Sequence, residues 1–181
     1  MAGSGSANDV VPTGYAVGSA SSVSYKVSTS DVALGAGIRL GSSAVASNLL
    51  ISSDGQDIVI MGKSSQATTN AMGVIQYGGT TIDSGAGSIK IYGQAATSGT
   101  ANAVNAHGLE FGFDATAPTL ITSSKSSDTA IDLNGQTSGA STNAKGLNFW
   151  SGDAANYVKI SATGAAGNIQ LSGSASTSTQ P

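Results

Sequence analysis

Apolar and polar residues alternate in the same short phrase four times along the chain: DIVIMG at 57–62, SIKIYG at 88–93, AIDLNG at 130–135 and NIQLSG at 168–173. In each phrase two aliphatic residues flank one variable residue, and a glycine follows two positions later. Alternation with period two is the pattern of a strand with one buried face. A second set of alternating segments, IRL at 38–40, VIQY at 74–77, LEF at 109–111 and LNF at 147–149, follows Gly37, Gly73, Gly108 and Gly146. A third and less regular set is NLLIS from Asn48, TTID from Thr80, TLIT from Thr119 and YVKI from Tyr157. No segment with helical periodicity and caps occurs in the body of the chain.

The three sets recur together, and the words around them recur too. VNAHGLEF at 104–111 matches TNAKGLNF at 142–149, with a looser copy beginning at Thr69. A unit of three short strands, about 36 residues long, is therefore repeated about four times. Hairpins would need tight Asn-Gly or Asp-Gly turns at equivalent places, and Asp54-Gly55 and Asn134-Gly135 are not equivalent. A parallel stack fits better, each repeat making one coil and each strand pairing with its counterpart about 4.8 Å along the axis. Two coils per repeat would instead offset the columns.

An all-β parallel solenoid of four to five coils follows, with Ile58, Ile89, Ile131 and Ile169 in one inward column and Ile60, Ile91, Leu133 and Leu171 in the next. The motif glycines are expected at corners, where positive φ suits them. Asn70, Asn105 and Asn143, three residues earlier, are expected in the left-handed region with their amides stacked in a ladder. The variable stretches 63–72, 94–107 and 136–145 are expected as outward loops. The expected organisation is a leader and N-terminal edge at 1–21, with an added leader at 1–7, a repeat domain at 22–173 and a flexible tail at 174–181.

Composition narrows the function. Of 181 residues, 39% are hydrophobic but only 9% charged and 5% aromatic, and 25 are glycine. Such small residues bury little apolar area each, so a regular stack is the way this chain builds a core. The net charge of −3 and scattered lysines offer no basic patch for nucleic acid. The absence of cysteine removes disulfides and thiolate metal sites. No apolar run approaches the ~20 residues of a membrane span, so membrane insertion is not expected. The N-terminal residues lack the basic and apolar regions of a signal peptide.

Repeats of the form G-L-x-F … I-x-L-x-G-Q-x-S-G, rich in Gly, Ser, Thr and Asn, resemble the filamentous haemagglutinin-type exoproteins of two-partner secretion and the passenger regions of autotransporter adhesins. The resemblance covers about residues 22–173. It implies a right-handed parallel β-helix, export to the bacterial surface or beyond, and a role as a stalk or adhesive filament. The partners it implies are host-cell or matrix surfaces, including glycans, and further coils joined end to end. It implies no catalytic residues and no cofactor.

His107, placed in the longest loop near Glu110, is an isolated histidine without converging metal ligands. Asp54 and Asp57 in SDGQD read as a turn more than as a calcium loop. Lys90 and Asp132, outward on consecutive coils between Val59 and Gln170, read as a cross-strand ion pair more than as an acid–base pair. Arg39 lies on another face. Tyr77, Phe111 and Phe149 form an expected core column, leaving Trp150, Phe113 and Tyr157 as candidate binding aromatics. A polysaccharide-binding or polysaccharide-degrading β-helix is the alternative function. An ice-binding solenoid is the third, and the outward column Val59, Lys90, Asp132, Gln170 breaks the Thr-x-Thr rank it needs.

Overall fold

The computed structural model describes residues 23–27, 30–41, 49–64, 70–96, 103–113, 117–138, 141–150 and 156–176. The leader expected at 1–21 and the centres of the three variable loops lie outside them. Among the described residues every regular element is a strand: β1 (Val23–Val27), β2 (Ser30–Leu40), β3 (Leu49–Ser52), β4 (Ile58–Lys63), β5 (Asn70–Tyr77), β6 (Thr80–Asp83) and β7 (Ile89–Ala96). They continue as β8 (Ala103–Phe113), β9 (Thr119–Ser123), β10 (Thr129–Ser138), β11 (Ser141–Phe149), β12 (Val158–Ala162) and β13 (Asn168–Ser176).

Three parallel sheets result, and the chain visits them in rotation. The first contains β2, β5, β8 and β11, the second β3, β6, β9 and β12, the third β4, β7, β10 and β13. Each repeat thus makes one coil of a parallel β-solenoid, and the described residues form four coils. Strand β1 adds to the first sheet antiparallel, beside β2. Corners are stitched between coils by backbone bonds such as Ser53 N–H to Asp83 O (3.1 Å) and Ser84 N–H to Thr122 O (3.2 Å).

The register turns sequence repetition into columns. Ile58, Ile89, Ile131 and Ile169 are mutual partners, as are Ile60, Ile91, Leu133 and Leu171. The second sheet contributes Ile51, Ile82, Ile121 and Ile160. The first contributes Ile38, Val74, Leu109 and Leu147. These columns converge on one core, in which Ile82, Ile89, Ile91, Leu109, Ile121 and Ile131 are fully buried. Each such side chain stabilises the fold by about 1.5–3 kcal/mol.

The glycines depart from expectation first. The motif glycines are not corners: positive φ occurs at Gly41, Gly55, Gly79, Gly85 and Gly112, and among the described residues Asp128 is the non-glycine that shares it. The strands of the first and third sheets instead continue through their glycines. A Cβ on Gly73 would strike the backbone of Gly93–Gln94 and the carbonyl of Gly108, and one on Gly108 that of Gly135–Gln136. Gly37 and Gly146 meet Lys63 and Gly173–Ser174 in the same way. The third-sheet glycines Gly62, Gly93 and Gly135 face back onto the carbonyls of Gly73, Gly108 and Gly146. Glycine is required because two sheets pack there backbone to backbone. Beyond this pinch a small separate cluster, Ala71, Ala95 and Ala106, fills the space between the sheets.

The second correction follows from the first. Because the strands continue, Asn70, Asn105 and Asn143 are extended, and none has positive φ. Of the stretches expected as outward loops, 63, 70–72, 94–96, 103–107, 136–138 and 141–145 belong to strands. Residues 174–176 of the expected tail belong to β13, and 177–181 lie outside the described residues.

The aromatic column is likewise rearranged. Phe111 and Phe149 stack at 5.6 Å with rings 13° apart. Tyr77 is not in that column. Strand β8 carries an extra residue at Gly112 (φ 74°), which shifts the register so that Tyr77 pairs with Phe113. Gln76 points inward instead, and its Oε1 accepts from Gly112 N–H (2.8 Å) and Thr119 Oγ1 (2.9 Å).

Candidate functional site

The outward face of the first sheet holds the chemistry. In a straight strand, residues three apart lie on opposite faces. Across the motif glycine that alternation is interrupted, since His107 meets Glu110 and Lys145 meets Asn148. In β8 this places Asn105, His107 and Glu110 outward, while Ala106 and Leu109 pack inward. In β11 it does the same for Lys145 and Asn148, the register partners of His107 and Glu110.

The asparagines form a ladder. Asn105 Nδ2 donates to Asn70 Oδ1 at 2.8 Å, and Asn143 Nδ2 donates to Asn105 Oδ1 at 2.8 Å. Beside it, His107 Nδ1 lies 3.0 Å from Glu110 Oε2, with the side chains 2% and 1% exposed. The same Nδ1 lies 3.5 Å from Asn148 Nδ2, so His107 sits between the carboxylate and the amide. Glu110 Oε1 accepts from Asn148 Nδ2 (3.1 Å) and from the indole Nε1 of Trp150. Lys145 Nζ in turn donates to Asn148 Oδ1 at 3.1 Å. Glu110 is therefore a buried hub, and removing both bonded partners would leave a buried polar atom unsatisfied at a cost of about 1–3 kcal/mol. His107 Nε2, by contrast, is buried without a hydrogen-bond partner.

Aromatic rings close the other side. Phe113 meets Trp150 edge to face at 5.7 Å and Tyr77 at 5.4 Å, while the Arg39 guanidinium sits 4.4 Å above the Tyr77 ring. Between rings and ladder lies a cavity of about 340 Å³ lined by Asn105, Asn143, His107, Lys145, Phe113 and Trp150 among others. Its deep end is buried at His107 and Glu110, and its mouth is at Trp150, which is 46% exposed.

Sequence reasoning assigned His107 to a loop; it lies on a strand, buried, because the Asn-Ala-His stretch alternates out, in, out. Trp150 and Phe113 do come together, whereas Tyr157 lies before β12, exposed, and does not line the cavity. Glu110 was placed near His107 but not as the hub, and Asn148 and Lys145 were missed as partners. The available signal was the spacing His-x-x-Glu in one repeat and Lys-x-x-Asn in the next, each straddling the motif glycine.

The remaining candidates stand elsewhere. Asp132 is in register with Lys90, but its Oδ2 accepts from the Tyr92 hydroxyl at 2.6 Å in place of the expected ion pair. Burial first, and then that bond to Asp132, push the Tyr92 hydroxyl up to about 12. Asp57 accepts from the backbone N–H of Ser88 on the next coil (2.7 Å), which holds its carboxyl below the usual range. The turn at Asp54 is closed by Gly55 N–H to Ser53 O at 2.6 Å. Among the described residues no three metal-ligating side chains converge.

No family model matches the chain, and neither a curated protein nor a solved structure matches it.

Proposed function

We propose that this chain is a rigid stalk segment of an exported bacterial surface exoprotein, serving adhesion through shape and length and not through catalysis. One observation carries the reading: residues repeat their structural roles coil after coil, as in the column Ile58, Ile89, Ile131, Ile169. Such a stack depends on nearest-neighbour contacts, so its length can change without redesign of any coil. The resemblance of the Gly-, Ser- and Asn-rich repeats to filamentous haemagglutinin-type exoproteins supports export. The outward column Val59, Lys90, Asp132, Gln170 offers no rank of threonines, so an ice-binding face is not proposed from it.

The test is antibody labelling of intact and lysed cells that express the parent protein, beside a turnover assay on a panel of polysaccharides. Labelling of intact cells without turnover is expected. Label confined to lysed cells, or turnover abolished by Glu110→Gln, would overturn the reading.

A further inference from the structure

The outer face of a stalk needs no buried histidine, no fixed indole and no cavity, yet the first sheet has all three. Each side chain around the cavity is held by another. Trp150 is bonded to Glu110, Lys145 to Asn148, and Asn105 is clamped between Asn70 and Asn143. A wall built this way is pre-organised, which lowers the ordering cost of binding.

From these contacts we infer that the cavity binds one neutral saccharide unit of a glycan. Its size, about 340 Å³, falls at the small end of the roughly 300–1,000 Å³ range of small-molecule sites. The ladder amides are not used up by one another. An amide has two N–H donors and two acceptor lone pairs, and Asn105 spends one of each on its neighbours. The hydroxyls of a sugar both donate and accept, and match such amides along one edge. The C–H face of the same ring matches the rings of Trp150 and Phe113 on the opposite wall.

Charge argues for a neutral ligand. Glu110 is enclosed by His107, Asn148 and Trp150, and Lys145 at the rim offsets it. A purely apolar ligand would leave the amides and His107 Nε2 unsatisfied. The site is independent of whether the solenoid acts as a stalk.

Trp150 is the sole tryptophan of the chain and stands at the cavity mouth, so its emission reports occupancy. The full chain is titrated with glucose, galactose, mannose and N-acetylglucosamine, with glucuronate and cyclohexanol as charged and apolar controls. A saturable change with at least one neutral sugar is expected, weakened about tenfold or more by Asn143→Leu and by His107→Phe. Should the buried His107→Phe variant fail to fold, Asn143→Leu at the half-buried outer rung carries the test. Absence of a saturable change with every neutral sugar, undiminished binding in the folded variants, or a response to glucuronate or cyclohexanol alone would each overturn the proposal.

Discussion

The third and fourth coils are written almost identically and sit differently. Ile131 and Leu133 in β10 are 0% exposed, whereas their register partners Ile169 and Leu171 in β13 are 42% and 49% exposed. Phe111 is 0% exposed and its stacking partner Phe149 40%. Nothing in the local sequence separates these pairs; a neighbouring coil does. Burial in this fold belongs to the interface between repeats, and the same aliphatic residue is core or surface according to what lies beyond it.

A charge should break the comparison most sharply. Ile131→Asp should abolish the cooperative melt, because an unpaired carboxylate in the aliphatic column costs several kcal/mol or more, against a total of about 5–15. Ile169→Asp should leave a folded chain. Circular dichroism melts of the two variants decide it, and similar melts for both would refute the interface account.

Truncation should separate the coils next. Leu133→Ala should destabilise by about 2–5 kcal/mol and Leu171→Ala by less than half as much, since only the first leaves a cavity. Denaturant midpoints at constant slope give both values.

The glycine columns sharpen the same contrast. A Cβ at Gly108 meets backbone of Gln136 and Gly146, but one at Gly173 finds its nearest atom, Leu147 N, at 3.2 Å. Gly108→Ala should cost about 1–3 kcal/mol or more, and Gly173→Ala a small fraction of that. Equal losses in thermal melts would mean that the pinch between sheets is not what glycine serves.

The smallest effect is a pH dependence. Tyr92 in the second coil has its hydroxyl raised from the usual 10.0 to about 12, while its counterpart in the last coil, Ser172, does not titrate in this range. Below pH 10 the tyrosine is neutral folded and unfolded, so its contribution is fully present. Between pH 10 and 12 the unfolded chain loses the proton first, so stability falls as pH rises through that window. Tyr92→Phe should flatten the decline in melts taken across it, and an unchanged slope would show that the hydroxyl bond to Asp132 is not coupled to folding.

The strands of the third sheet were legible because Ile-x-Ile alternation admits only one buried face. The glycines were legible as positions and not as roles. A missing side chain serves positive φ and close approach alike, and one sequence does not distinguish them; the paired spacing of Gly73 with Gly93, and of Gly108 with Gly135, becomes meaningful only once two sheets are known to touch there. His107 was misplaced for a related reason. A polar, alternating stretch reads as loop when its outward face is assumed to be wet, yet this face buries Met72, Ile75 and Glu110. Tyr77 was misaligned by one residue because the bulge at Gly112 leaves no trace in the repeat spacing.

The asparagine ladder has a direction. Asn143 gives its N–H to Asn105 and Asn105 gives its own to Asn70, so the side-chain dipoles point the same way along the axis and polarise one another. The row has a donor end and an acceptor end, like a bar magnet with two unlike poles. An amide joining beyond Asn143 can extend the row only by offering its N–H to the Asn143 carbonyl. The side chains, and not the backbone alone, therefore give the stack a vectorial polarity that discriminates a coil laid in the same sense from one laid in reverse.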